Sequence, residues 1–139
     1  MATEKIKAFN SIIESFLSQT SELVGTTYYT YFKQVTKVNS LIAIENGINF
    51  MLPHKKKIFN KDESYFSDDT LIIDKLNKST LPLQYSSDQV INEIFRLKDI
   101  YYKLDNDSKE NVWNILQALT QLMIEYCDIK QINYKILEK

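Results

Sequence analysis

A catalytic centre needs a nucleophile, a base or a metal ion held at defined geometry, and this sequence offers one histidine, His54, and one cysteine, Cys127. Cys127 falls on the apolar side of a helix-like repeat and reads as a small buried residue. His54, beside Pro53 and a run of lysines, reads as a surface residue. Asp105, Asp107 and Lys109 open like a calcium loop. The pattern then fails: Lys109 stands at the fifth position, Glu110 replaces the turn glycine at the sixth, and Leu116 takes the twelfth, where an oxygen ligand is required. Asp62, Glu63, Asp68 and Asp69 are clustered, but no histidine or periodic spacing accompanies them. Neither common glycine-rich phosphate loop is present. No residue is therefore assigned as catalytic, cofactor-binding or metal-ligating, and the balance favours a protein that is not an enzyme.

Binding chemistry is better represented. Lys55, Lys56, Lys57 and Lys61, with Phe59 among them, form one basic cluster suited to phosphate backbones or anionic lipid. The common alternative is a solvated turn. Tyr28, Tyr29 and Tyr31 could stack on bases or on a partner, although aromatics at helical spacing usually pack a core. Trp113 stands beside the main seam of its helix and could fill a second core contact or anchor a partner.

The elements that must position these residues are helical. In Ser87–Leu104, Val90, Ile94, Leu97, Tyr101 and Leu104 recur at steps of four, three, four and three, and in Ser108–Tyr126, Val112, Leu116, Leu119, Met123 and Tyr126 repeat those steps. Such spacing aligns each set on one helix face. Asp105-Asn106-Asp107 between them is only long enough to reverse direction, so an antiparallel C-terminal hairpin is expected. Ser86 with Gln89 and Asp107 with Glu110 resemble capping boxes at the two starts. Ile115 and Leu122 widen the second face, and Ile129, Ile132, Ile136 and Leu137 extend its pattern.

Upstream, Thr3 can cap a helix whose apolar face is Ile6, Phe9, Ile13 and Phe16, widened by Ile12 and Leu17 and ending near Ser18–Ser21. Residues 26–38 are rich in strand-favouring side chains, yet Tyr28, Tyr31, Phe32 and Val35 keep helical spacing. Helix is the favoured reading; strand is the alternative. A further helix starts at Asn39 or Ser40, turns Leu41, Ile44, Ile48 and Met51 inward, and is ended by Pro53. Asn60–Phe66 reads as a capped single turn delivering Tyr65 and Phe66 to the core, and Leu71–Leu76 as another short helix.

The chain has 139 residues, 44% of them hydrophobic and 25% charged, with two glycines and two prolines. These values point to one all-α domain over residues 1–139, a bundle of about five to seven helices, and away from a turn-rich β-sandwich. Seventeen basic against eighteen acidic residues leave no chain-wide attraction to nucleic acid. The single cysteine excludes an intrachain disulfide, the first residues lack the apolar core of a signal peptide, and no apolar run approaches the roughly 18 residues of a membrane span. An intracellular or virion location, without secretion, is expected.

Several motifs carry a resemblance: Leu52-Pro53; Ile58-Phe59-Asn60-Lys61-Asp62-Glu63-Ser64-Tyr65-Phe66; Leu97-Lys98-Asp99-Ile100-Tyr101; and Lys109-Glu110-Asn111-Val112-Trp113-Asn114-Ile115-Leu116-Gln117. Over residues 40–126 the chain resembles small uncharacterised helical proteins of large nucleocytoplasmic DNA viruses of algae and amoebae. It departs from them at Ser18-Gln19-Thr20, where that group carries a proline-bearing acidic segment. The resemblance implies an all-helical fold and a viral origin, and it transfers no catalytic residue. The functional expectation is a non-enzymatic viral interaction or assembly protein working through an apolar helix face or groove, with a protein partner or self-association. Trp113, Tyr28 and Tyr29 are its candidate contacts. The alternative is a nucleic-acid accessory protein using Lys55, Lys56, Lys57 and Lys61.

Overall fold

The computed structural model describes residues 2–67 and 101–132, and every described element is helical. In order they are α1 (Ala2–Gln19), α2 (Ser21–Val24), α3 (Thr27–Val38), α4 (Ile42–Phe50), a 3₁₀ turn (Leu52–His54), α5 (Lys55–Phe59), α6 (Ser64–Ser67) and α7 (Asn106–Lys130). The all-α bundle is the observed architecture.

Its organising pair is α1 and α7. Phe9, Ile13, Phe16 and Leu17 of α1 are buried, as are Val112, Leu116, Leu119, Met123 and Tyr126 of α7, so both expected apolar faces form the core. Lys5 of α1 is bonded to Glu125 of α7 at 2.7 Å, while Phe16 and Gln19 border the same groove as Asn111. The two helices therefore run antiparallel. The expected hairpin partner of α7, Ser87–Leu104, lies outside the described residues except for its end, as do the short helix at Leu71–Leu76 and the box at Ser86 and Gln89.

α7 has 25 residues and is about 37 Å long. Its start is fixed by Asp105 rather than Asp107: the extended Asp105 backbone lets its carboxylate accept the Ser108 N–H at 2.8 Å. Its end is a Schellman turn, with Gln131 N–H bonded to Asp128 C=O and Ile132 N–H to Cys127 C=O. Gln131 takes φ 58° there, so the apolar spacing running on to Ile132 does not prolong the helix, and Ile136 and Leu137 lie outside the described residues.

α3 settles the ambiguity at residues 26–38 as helix. Phe32 is fully buried, Tyr28, Tyr29 and Tyr31 are half-buried against the core, and the Thr36 hydroxyl donates to Phe32 C=O at 2.8 Å. Periodicity thus outweighs strand propensity, because a helix is what buries this one stripe. α3 is reached through Gly25, at φ 83° and ψ 179°, a region open almost only to glycine. α1 begins at Ala2, which puts Thr3 inside the helix instead of at its cap.

α4 buries Ala43, Ile44, Gly47 and Ile48. It stops at Phe50, before the residue preceding Pro53, because the proline serves instead as an early residue of the 3₁₀ turn, where a missing N–H costs nothing. Leu52 and Pro53 are buried, anchoring the lysine-bearing α5 behind them.

Candidate functional site

Lys55, Lys56 and Lys57 of the lysine cluster occupy helix α5, and Lys61 stands in the turn that ends it. Ile58 is the inward residue of α5, and its carbonyl accepts a hydrogen bond from Gln117 Nε2 of α7 at 3.2 Å. Lys56 is exposed, whereas Lys55 and Lys57 are half-buried. α5 ends in a second Schellman turn: Lys61 N–H bonds Ile58 C=O, Asp62 N–H bonds Lys57 C=O, and Lys61 has φ 55°. That left-handed backbone delivers the Lys61 ammonium to Glu110 of α7, with which it forms an ion pair. Asp62 in turn accepts the Ser64 N–H at 3.0 Å, and this bond, helped by the Lys57 charge, holds its carboxyl below the usual range. Part of the cluster's charge is thus answered by α7 and by the start of α6.

α6 places Tyr65 and Phe66 in the core, as the single capped turn requires. They join an aromatic row. Phe66 stacks on Tyr101 at 4.1 Å and lies 5.0 Å from Trp113, while Tyr65 stands edge-on to Phe66 at 5.2 Å and to His54 at 6.0 Å. His54 also meets the ring of Phe50, so it is a half-buried member of the row and not the surface residue its neighbours suggested. Trp113, 3% exposed, is core. The Tyr101 hydroxyl donates to Glu63 at 2.9 Å; burial and that acceptor hold its proton more tightly than in free tyrosine. Lys109 sits 5.2 Å over the Tyr101 ring and 6.0 Å from that of the exposed Tyr102.

Cys127 is fully buried, and burial pushes its thiol up, the opposite of what an attacking thiolate needs. Among the described residues no group of three or more histidine, cysteine, aspartate and glutamate side chains could hold a metal ion. Asp105 and Asp62 serve as caps, while Asp68 and Asp69 lie outside the described residues. No described helix is long and apolar enough to cross a membrane.

An open groove runs between α1 and α7. One part, about 340 Å³, is lined by Ile12, Phe16 and Ile115 with Ser11, Ser15, Gln19 and Asn111 along its rims. It continues past Phe16 into a second part of about 300 Å³ bordered by Thr20, Leu23, Leu104 and Ser108. Leu23 is 47% exposed at its edge. Ile12 and Ile115, which widen two core faces in the sequence, are the residues that floor this groove, and only the pairing of distant helices reveals it.

Family models, curated proteins and solved structures were all compared with this chain, and none matches.

Proposed function

We propose that this chain is a non-enzymatic interaction or assembly protein that seats a protein partner, or a second copy of itself, in the groove between α1 and α7. The observation that carries this reading is the groove's composition. Its first part is mainly apolar, through Ile12, Phe16 and Ile115. Its second part mixes Leu23 and Leu104 with polar side chains, and Glu22 is the one charged residue among the described residues of its lining. Such a surface gains by excluding water and asks little electrostatic matching of its occupant. The burial of Cys127 and the use of Asp62 and Asp105 as caps support a role without catalysis. A viral setting belongs to the same reading, supported by the resemblance over residues 40–126. Trp113 drops out as a contact because its ring is core, and Tyr28 and Tyr29, half-buried on α3, do not line the groove.

Ser15→Arg and Asn111→Arg test the groove. Both positions are exposed on helices, so the fold should persist while the rims carry bulk and charge. Light scattering gives the mass of each form, and a photo-crosslinking residue at Ser15 reports what lies in the groove inside the producing cell. A discrete adduct or dimer in the wild type, lost in the arginine variant, is expected. A strict monomer with no adduct from Ser15 would defeat the proposal.

The second reading, a nucleic-acid accessory role, is favoured by Lys55, Lys56 and Lys57 sharing one short surface helix held rigidly by Ile58 and Pro53. Replacing the three lysines by glutamate should then abolish retention on DNA or RNA without changing the helical spectrum. Unchanged retention would remove it.

A further inference from the structure

α3 bears a surface feature that neither the groove nor α5 uses. Tyr29, Lys33 and Lys37 follow one another at four-residue steps along its outer side, with Thr30 and Gln34 beside them. These five side chains line an open depression of about 300 Å³. Tyr29 is half-buried and so held in place, whereas Thr30, Lys33, Gln34 and Lys37 are exposed. The Lys33 ammonium lies 5.2 Å over the Tyr29 ring. No aspartate or glutamate occurs in Thr27–Val38, and neither lysine forms an ion pair with a described residue.

We infer that this stripe binds single-stranded nucleic acid, with a base stacked on Tyr29 and neighbouring phosphates on Lys33 and Lys37. Two lysines one helical turn apart are separated by about 6 Å along the axis, the scale between successive phosphates of an extended strand. A tyrosine face accepts any base, so the stripe is indifferent to sequence. Binding moves the Lys33 ammonium from the ring onto a phosphate and leaves the ring face to the base. Thr30 and Gln34 supply neutral hydrogen bonds to the same backbone. A duplex keeps its bases stacked inside and offers none to a single exposed ring, which favours the single strand.

Fluorescence anisotropy of a labelled oligothymidylate of about 16 nucleotides tests this. The wild type should bind at low salt, and K33E/K37E should bind at least tenfold more weakly. Because that variant neutralises two fewer phosphates, the slope of log affinity against log salt should also shrink by about 1.4. Tyr29→Ala should weaken binding by about tenfold while Tyr29→Phe, which keeps the ring, retains it. K55E/K56E/K57E should bind as the wild type does, the opposite of what the second reading of the function requires, so this variant decides between α5 and this site. The inference is overturned if the wild type does not bind at low salt or if K33E/K37E binds normally. It is equally overturned if polyglutamate or heparin competes as well as the oligonucleotide while Tyr29→Ala is silent, since that describes a plain polyanion patch. Circular dichroism of each variant verifies the helical fold.

Discussion

The ring of Phe66 lies flat on that of Tyr101, 4.1 Å between centroids and 14° from parallel, and so joins the single turn α6 to the residue that leads into α7. Trp113 closes the group from α7 at 5.0 Å and 5.9 Å. Truncating Phe66→Ala should cost about 3–5 kcal/mol in urea denaturation. A double-mutant cycle with Tyr101→Leu should show coupling of about 0.5–1.5 kcal/mol. Strict additivity would mean the two rings stabilise separately.

Stability should be bounded on the alkaline side by buried groups. Cys127, Tyr101 and Tyr126 all have raised pKa values, burial being the first cause of each. Their protonated forms are favoured in the folded chain, so this contribution is complete below the ordinary values of 9.0 for the thiol and 10.0 for the phenols. It is lost as pH rises beyond them, while the unfolded chain ionises first. Melting temperature should therefore fall above about pH 9, and Cys127→Ala should remove the earliest part of that fall. An identical alkaline profile in the variant would refute the assignment.

On the acid side Asp62, Asp105 and Glu125 have lowered values, from bonds to Ser64, Ser108 and Lys5 respectively. Their contribution is present above the ordinary carboxylate range and disappears as pH falls through the depressed values. Melting temperature should then drop below about pH 4. A profile flat through that range would contradict these assignments.

The cap assignment separates two neighbouring aspartates. Asp105→Ala should destabilise the chain through loss of the bond to Ser108. Asp107→Ala, at an exposed position in the first turn, should have the smaller effect. Chemical denaturation of the two variants decides between them, and a reversed order would restore Asp107 as the cap.

Backbone handedness gives opposite signs at two sites. Gly25→Ala should cost about 1–3 kcal/mol although a Cβ there meets nothing within 4 Å, because the penalty lies in φ 83° and ψ 179°. Gln131→Gly should stabilise the chain by about 1 kcal/mol, relieving a side chain held at φ 58°. Thermal melts of both variants are sufficient, and equal signs would mean that side-chain contacts, not backbone strain, govern these turns.

The seam of α7 was legible to the residue: all five of its periodic positions are buried, since helical spacing and burial are the same geometric statement. α3 was legible by the same rule despite its strand-favouring composition. Turns written without glycine were not. Lys61 and Gln131 occupy left-handed positions that glycine usually announces, and nothing local distinguishes them. The groove was invisible for another reason. Ile12 and Ile115 each looked like the margin of a core face, and only the antiparallel seating of α1 on α7 turns two margins into one floor. Trp113 was open between core and partner because a ring beside a seam can face either way; the arrival of Phe66 and Tyr101 decides it.

The bond between Lys5 and Glu125 joins residues 120 apart, and this bears on how the molecule is made. Helical bundles usually fold fast because neighbours in sequence pack together. Here α1 packs on α3 and α4 but makes its most extensive contact with α7, so a chain emerging from the ribosome leaves part of the apolar face of α1 uncovered until the distant helix has been synthesised. Folding is then gated by completion of α7, and the interval before it is when a chaperone would find its binding surface.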